Sequence, residues 1–348
     1  MRFYAKKHRY SCGIDLHARW MYVCILSDDG EVVFHHKLRC TPEALLAAIA
    51  PYRDDLAIAV ECVFCWYWVA DLCEREGITF VLGHALYMKA IHGGKVKNDR
   101  IDALKIATLL RGGMLPQAFV YPADMRATRD LLRRRLHFVR KRGELLAHIQ
   151  NLRSAYNLPE LDVEILYPSN RAGLAEAFSD PAVRKSVEAD LQLVALYDTL
   201  IADLELTIVR AAKIHDPDTY LRLLSIRGVG KVLALTILYE VHHISRFPRA
   251  QEFASYCRLV KCSHESNGKK TGSGGSKIGN VHLKWAFSEA SVLFLRHNPK
   301  GKALRARLER KHGKAKALSV IGAKLGRAVY YMWTRQTAFD LNKFLATN

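Results

Sequence analysis

The stretches YSCGID (10–15) and MYVCIL (21–26), then the turn Ser27-Asp28-Asp29-Gly30, then EVVFHHKL (31–38), decide how the N-terminal part folds. Residues 10–37 read as two β-strands joined by a tight turn, because Asp and Gly supply turn chemistry between runs of β-formers. A helix over 42–50 follows. LAIAVEC (56–62) is a short apolar run, as expected of a strand buried on both faces. WYWVADLCEREG (66–77) has helical spacing and ends at Gly77, ITFVLG (78–83) is another buried strand, and a helix runs from Asp99 to Gly112-Gly113. Strands first, then alternating helices and strands, make residues 1–122 an α/β domain.

Beyond it, residues 125–153 read as one basic helix. Its apolar stripe includes Leu132, Leu136, Val139 and Leu146, and Arg133, Arg134, Arg135, Arg140, Lys141 and Arg142 surround the stripe, an excess of positive charge expected to contact nucleic acid. Val187, Leu191, Val194, Ile201, Leu204 and Ile208 approximate a coiled-coil seam on a second helix over 183–213. Residues 123–215 are therefore expected to form a helical connector. From 216 to 348 a mainly helical domain is expected. It opens on SIRGVGKVLA (225–234), whose glycines Gly228 and Gly230 and Lys231 suit a helix-hairpin-helix element, where backbone N–H groups approach a phosphate.

Lys and Arg outnumber Asp and Glu by 53 to 34, a formal net charge of +19. A polyanion is the natural partner of such a chain, and nucleic acid leads the candidates. No apolar run approaches the ~20 residues that span a bilayer, and the N-terminus lacks the pattern of a signal peptide. The eight cysteines sit in apolar runs, which suits reduced thiols in a bacterial or archaeal cytoplasm. Cys62-x-x-Cys65 with Cys73 and His84 is read as core rather than zinc, and Trp66-Tyr67-Trp68 as interior rather than a base-stacking surface.

Four carboxylates stand out. Asp15 lies inside a strand and Glu61 ends an apolar one, and an ionised carboxylate there is costly unless a cation compensates it. Asp99 and Asp102, three residues apart at a helix start, share a face. Taken alone, that pair is better explained by capping and the helix dipole. Together the four suit two Mg²⁺ ions about 4 Å apart, as phosphodiester cleavage uses. The order strand-Asp, strand-Glu, helix Asp-x-x-Asp fits an RNase H-like plan. Ser266 lies in what reads as a Gly- and Lys-rich loop (265–280) with Lys269, Lys270 and Lys277, which offers exposure and positive charge to a serine nucleophile. On composition alone a solvated or phosphate-binding loop is the simpler reading, and Ser273 and Ser276 are equally available.

The segments GID (13–15), VEC (60–62), KNDRIDALKIA (97–107), SIRGVGKVLA (225–234) and ESNGKKTGSGGSKIGNVHLKWAF (265–287) resemble the DEDD transposases of the IS110 insertion-sequence family, relatives of the pilin-gene invertase. The likeness implies a RuvC-like catalytic domain with an RNase H fold, a coiled-coil connector and a C-terminal transposase domain. It matches Asp15, Glu61, Asp99 and Asp102 to a metal-binding tetrad and Ser266 to a serine that links covalently to DNA. It further implies a structured bridge RNA and a tetramer around donor and target DNA. One departure is Glu61-Cys62-Val63-Phe64-Cys65-Trp66, where the family usually has Glu-Ala-Thr-Gly-x-Tyr. Two other readings are a hydrolytic RNase H-like nuclease or junction resolvase with an inert serine, and a non-catalytic nucleic-acid-binding protein.

Overall fold

A computed structural model describes residues 2–91, 98–260, 262–274 and 278–346. The chain divides into two compact units, Met1–Asp124 and Met125–Asn348.

Unit 1 opens with a short strand β1 (Phe3–Tyr4), followed by β2 (Tyr10–Leu16), β3 (Trp20–Ser27) and β4 (Val32–Arg39). Where two strands were expected over 10–37, the chain therefore makes three. The extra reversal falls at His17-Ala18-Arg19, closed by the His17 amide donating to the Trp20 carbonyl. Helix α1 (Pro42–Ile49) is capped by the Thr41 hydroxyl, which accepts from the Ala44 amide. Then come β5 (Leu56–Glu61), α2 (Tyr67–Arg75), β6 (Thr79–Gly83), α3 (Ala85–Ile91), α4 (Asp99–Arg111) and β7 (Leu115–Pro116), which pairs with β1. The main sheet has the order β4-β3-β2-β5-β6. The β2–β3 and β3–β4 pairs are antiparallel, whereas β2–β5 and β5–β6 are parallel. This mixed sheet with helices is an α/β arrangement compatible with the RNase H-like plan.

Alternation along the strands sorts residues between two faces. Cys12, Ile14, Leu16, Ile58 and Val60 join Leu45, Ile49, Val69 and Leu72 of α1 and α2 in one core cluster. Ala57, Ala59 and Val81 pack on the opposite face against Ile106, Leu109 and Leu110 of α4. That second face is built from small residues, and α4 comes very close. A Cβ on Gly13 would lie 2.3 Å from the Ala107 amide nitrogen and 2.4 Å from the Ala103 carbonyl oxygen. Position 13 therefore accepts only glycine if the helix is to keep this depth.

Unit 2 contains α5 (Ala123–Ala155), which begins at the boundary, and α6 (Pro181–Ala211), started by the Asp180 cap. The two run antiparallel. Arg135 meets Glu205, Arg142 meets Asp198 and His148 meets Asp190, so the partners' numbers rise on one helix as they fall on the other. Leu146 and Ile149 share a cluster with Val187 and Val194 in the seam. The rest is α7 (Pro217–Leu224), α8 (Lys231–Val241), α9 (Ala250–Tyr256), a hairpin of β8 (Cys262–Ser266) and β9 (Lys269–Gly274), α10 (Val281–Leu295), α11 (Pro299–His312), α12 (Lys314–Arg335) and α13 (Leu341–Leu345). Every residue of α8 from Leu233 to Val241 is buried, which is why its sequence is apolar on all sides. Among the described residues no helix is long and apolar enough to cross a membrane, and the seven described cysteines are free thiols.

The hairpin corrects the expected loop over 265–280. Asn267 and Gly268 both have positive φ, at 49° and 71°, as the two-residue turn that best matches strand twist requires. Ser266 pairs with Lys269 across that turn.

Candidate functional site

Asp15 is on β2 two residues beyond Gly13, and so on the face that α4 covers. The same contact that presses Gly13 onto Ala103 and Ala107 brings the first turn of α4 over Asp15. Asn98 caps that helix, its side-chain oxygen accepting from the Ile101 amide at 2.8 Å, and this fixes where Asp99 and Asp102 begin. On the neighbouring parallel strand Ile14 pairs with Val60. Glu61 is the next residue on that strand, as Asp15 is on β2, and shares the α4 face with Ala57 and Ala59.

His17 completes the cluster. Its Nε2 lies 3.3 Å from Asp15 Oδ2 and 3.6 Å from Asp99 Oδ1. Ligand-capable atoms of Asp15, His17 and Asp99 all fall within 4.8 Å of one another. The Asp15 side chain is 16% exposed and that of Asp99 51%, so the cluster has a buried floor and an open mouth. Lys105 Nζ approaches Asp102 Oδ1 at 3.3 Å. Burial pushes the Asp15 carboxyl above the usual carboxylate range. The charges of Asp99 and Asp102 push it further up, and His17 opposes them. Carboxylates crowded in this way gain most from a bound cation. Oxygen donors from Asp15 and Asp99, with Asp102 beside them, suit a hard divalent ion, and His17 adds one nitrogen.

His17 was not singled out from the sequence. Its one signal is alternation, since 13, 15 and 17 fall on one face if β2 is continued, but the turn that carries it contains no Gly, Pro, Asn or Asp. Of the expected residues, Asp15, Asp99 and Asp102 sit in one electrostatic cluster, and register sets Glu61 beside them.

The basic helix differs from expectation. Arg133 Nε donates to Glu240 Oε1 at 2.6 Å, joined there by Arg129. Arg135 bonds Glu205 and Arg142 bonds Asp198, while Lys141 pairs with Glu144 on its own helix. Four of the six proposed nucleic-acid contacts are thus ion-paired within the protein. Arg134 and Arg140 are exposed. At Gly228, φ is 86°, and a Cβ would meet the Leu293 carbonyl carbon at 2.5 Å. Gly230 caps α8 just before Lys231, beside a shallow cleft that Arg227 and Arg296 line. Ser266 and Lys270 are placed by their backbone in the hairpin and Lys269 is exposed beside its turn. Lys277, with Ser276, lies outside the described residues.

Two transposase families match this chain. The DEDD transposase family of the IS110 type covers residues 12–157, the span holding all four carboxylates. The family described as "Transposase IS116/IS110/IS902 family" covers residues 220–306. The chain belongs to the IS110 family of transposases. The transposase for insertion sequence element IS1111A of Coxiella burnetii is 23% identical over 340 residues, covering 94% of this chain and 90% of that protein. A Pseudomonas aeruginosa protein named "Probable family 20 transposase" is 22% identical over 328 residues, 88% of this chain and 93% of its own. An IS110-family transposase acts on DNA, and its family supports cleavage and recombination of strands.

Proposed function

We propose that this transposase cleaves and rejoins DNA by phosphoserine chemistry, with Asp15, Glu61, Asp99 and Asp102 holding divalent ions, two Mg²⁺ in the simplest case, and Ser266 as the nucleophile. The observation that carries the proposal is the convergence of Asp15, His17 and Asp99 within 4.8 Å around a carboxyl that burial and like charge hold above its usual range. When bound there, a divalent cation supplies Lewis-acid stabilisation of charge building on the phosphoryl oxygens. His17 orients Asp15 toward Asp99, and Lys105 holds Asp102. The Ser266 hydroxyl loses its proton as its oxygen bonds to phosphorus, and the P–O bond to one sugar breaks, with that sugar leaving as a free hydroxyl. A sugar hydroxyl of the joined strand then attacks the phosphoserine and releases the serine, so the phosphodiester count is unchanged.

Net charge +19, the exposed Arg134 and Arg140, and the Gly228–Lys231 turn support contacts with donor and target DNA and with a structured guide RNA. Helices α5 and α6 suit a coiled-coil connector, and assembly into a tetramer fits recombination between two duplexes.

The test is a cleavage assay in Mg²⁺ with denaturing electrophoresis. Wild-type protein should leave an adduct of protein on DNA that protease digestion collapses, and Ser266→Ala should abolish both adduct and cutting. Cutting that persists in Ser266→Ala would instead identify a hydrolytic nuclease.

A further inference from the structure

Beside the acidic cluster lies a groove of about 410 Å³ lined by His17, Cys40, Phe64, Cys65 and Trp68. Phe64 is 83% exposed, the most exposed large hydrophobic residue described. An aromatic ring held in water costs free energy, and here the chain that carries it is tied down. The Val63 amide donates to the Glu61 carbonyl at 2.8 Å, the Cys62 amide donates to Gly83 at 2.9 Å, and the Cys65 thiol donates to the Leu16 carbonyl at 3.5 Å. The chain on either side of Phe64 is thus tied to β2, β5 and β6, so its ring projects from a fixed loop rather than a loose one. The neighbouring Trp66, by contrast, is core, stacked on Phe80 with centroids 6.3 Å apart.

The groove and the carboxylates share one residue. His17 lines the groove and also contacts Asp15 and Asp99. The Cys65 thiol is raised by burial, and the charge of Asp15 adds to the rise. No Asp, Glu, Lys or Arg is among the described residues that line it. An uncharged aromatic slot complements the flat face of a nucleobase. A nucleotide whose phosphate is at Asp15 carries its base on the adjoining sugar, and the groove shares His17 with that cluster.

We infer that this groove seats one nucleobase of the DNA strand whose phosphate lies at the acidic cluster, stacked on Phe64 and Trp68. The inference rests on the cleavage reading above for the position of the phosphate, but it makes a separate measurement possible. Full-chain protein would be titrated, in Ca²⁺, into single-stranded oligonucleotides from the element's end. Each oligonucleotide would carry one 2-aminopurine, whose emission falls on stacking. One position should be quenched severalfold. Phe64→Ala should restore emission there and weaken binding about tenfold, whereas Phe64→Trp should keep both. Because Phe64 is exposed, its removal leaves the core intact, and Trp68→Phe gives a second, milder reduction. Absence of quenching at every position, or a Phe64→Ala protein equal to wild type, would overturn the base site. If wild type cuts in Mg²⁺ and Asp15→Asn does not, while quenching is absent, the base site alone is wrong. Quenching without any cutting refutes the cleavage reading and supports the base site.

Discussion

Asp15 and Glu240 look alike in sequence, each a lone acid in an apolar stretch, YSCGIDL in β2 and LALTILYEV in α8, yet the two units treat these acids in opposite ways. Glu240 is 1% exposed and is met by Arg129, Arg133 and the side-chain amide of Asn280, which donates at 2.7 Å. Burial alone would raise its pKa, but the Arg133 hydrogen bond and both guanidinium charges outweigh it and hold the carboxyl at about 2. Asp15 instead shifts upward: burial and the charges of Asp99 and Asp102 raise it, and the half-exposed His17 opposes them. A buried acid whose charge is answered by the protein is structural. One whose charge is left in excess marks a place for an external cation. The sequence pattern does not separate the two, because the answering arginines lie more than a hundred residues away.

The comparison breaks most sharply if both acids are neutralised. Asp15→Asn should cut strand cleavage by about a thousandfold, since on the proposed mechanism it removes a ligand whose cation contributes several kcal/mol to the transition state. It should leave the melting temperature unchanged or slightly higher, because it relieves repulsion with Asp99 and Asp102. A clear fall in melting temperature would show that Asp15 is a structural acid like Glu240.

Glu240→Gln should do the reverse. It leaves the buried Arg129 and the partly buried Arg133 beside an uncharged amide and should destabilise unit 2 by about 3–5 kcal/mol, read by denaturant unfolding. The pH dependence has a definite sign. The folded pKa of Glu240 is depressed from its ordinary 4.5 to about 2. Its stabilisation is therefore complete above pH 4.5 and is lost as pH falls from there towards about 2. The Glu240→Gln protein should lack that acid-sensitive component, so the wild-type and variant stability curves should converge over this range. The cluster also explains why the Gly279-Asn280 segment follows the hairpin. Asn280 caps α10 through the His282 and Leu283 amides while reaching Glu240. Gly279 at φ 94° lies where a Cβ would touch the Tyr256 carbonyl oxygen at 2.6 Å.

Where local pattern sufficed, the sequence was legible. The buried strands β5 and β6 are short apolar runs, α4 starts at Asp99, and α5 and α6 follow their apolar periodicity. Asp15 was legible because a charge among β-formers is itself an anomaly, and Asp99 and Asp102 because a spacing of three puts them on one helix face. Three things were not. The reversal at His17-Ala18-Arg19 has no turn residue, so β2 and β3 merged in the reading and His17 was passed over. The β8–β9 hairpin has almost no apolar alternation, since CSHES and KKTGSG are polar throughout. Asn267-Gly268 was its only signal, and the surrounding glycines and lysines read as loop. The ion partners of Arg133, Arg135 and Arg142 are 107, 70 and 56 residues distant, and no local pattern reports a pairing at that range.

Those pairings set the smallest and most discriminating expectation. A guanidinium that already bonds a protein carboxylate releases no counterion when DNA binds, whereas an exposed one that neutralises a phosphate does. Arg134→Ala and Arg140→Ala should each lower the slope of log affinity against log salt by about 0.9 on duplex DNA, with little change in melting temperature. Arg135→Ala should behave in the opposite way. It removes the partner of Glu205 and the guanidinium packed 5.7 Å from the Trp285 ring, so it should lower thermal stability and leave the salt slope alone. If Arg135→Ala flattens the slope as much as Arg134→Ala, DNA must draw that side chain away from Glu205. In that case the ion pairs along α5 and α6 are a resting state that nucleic acid displaces rather than a fixed part of the fold.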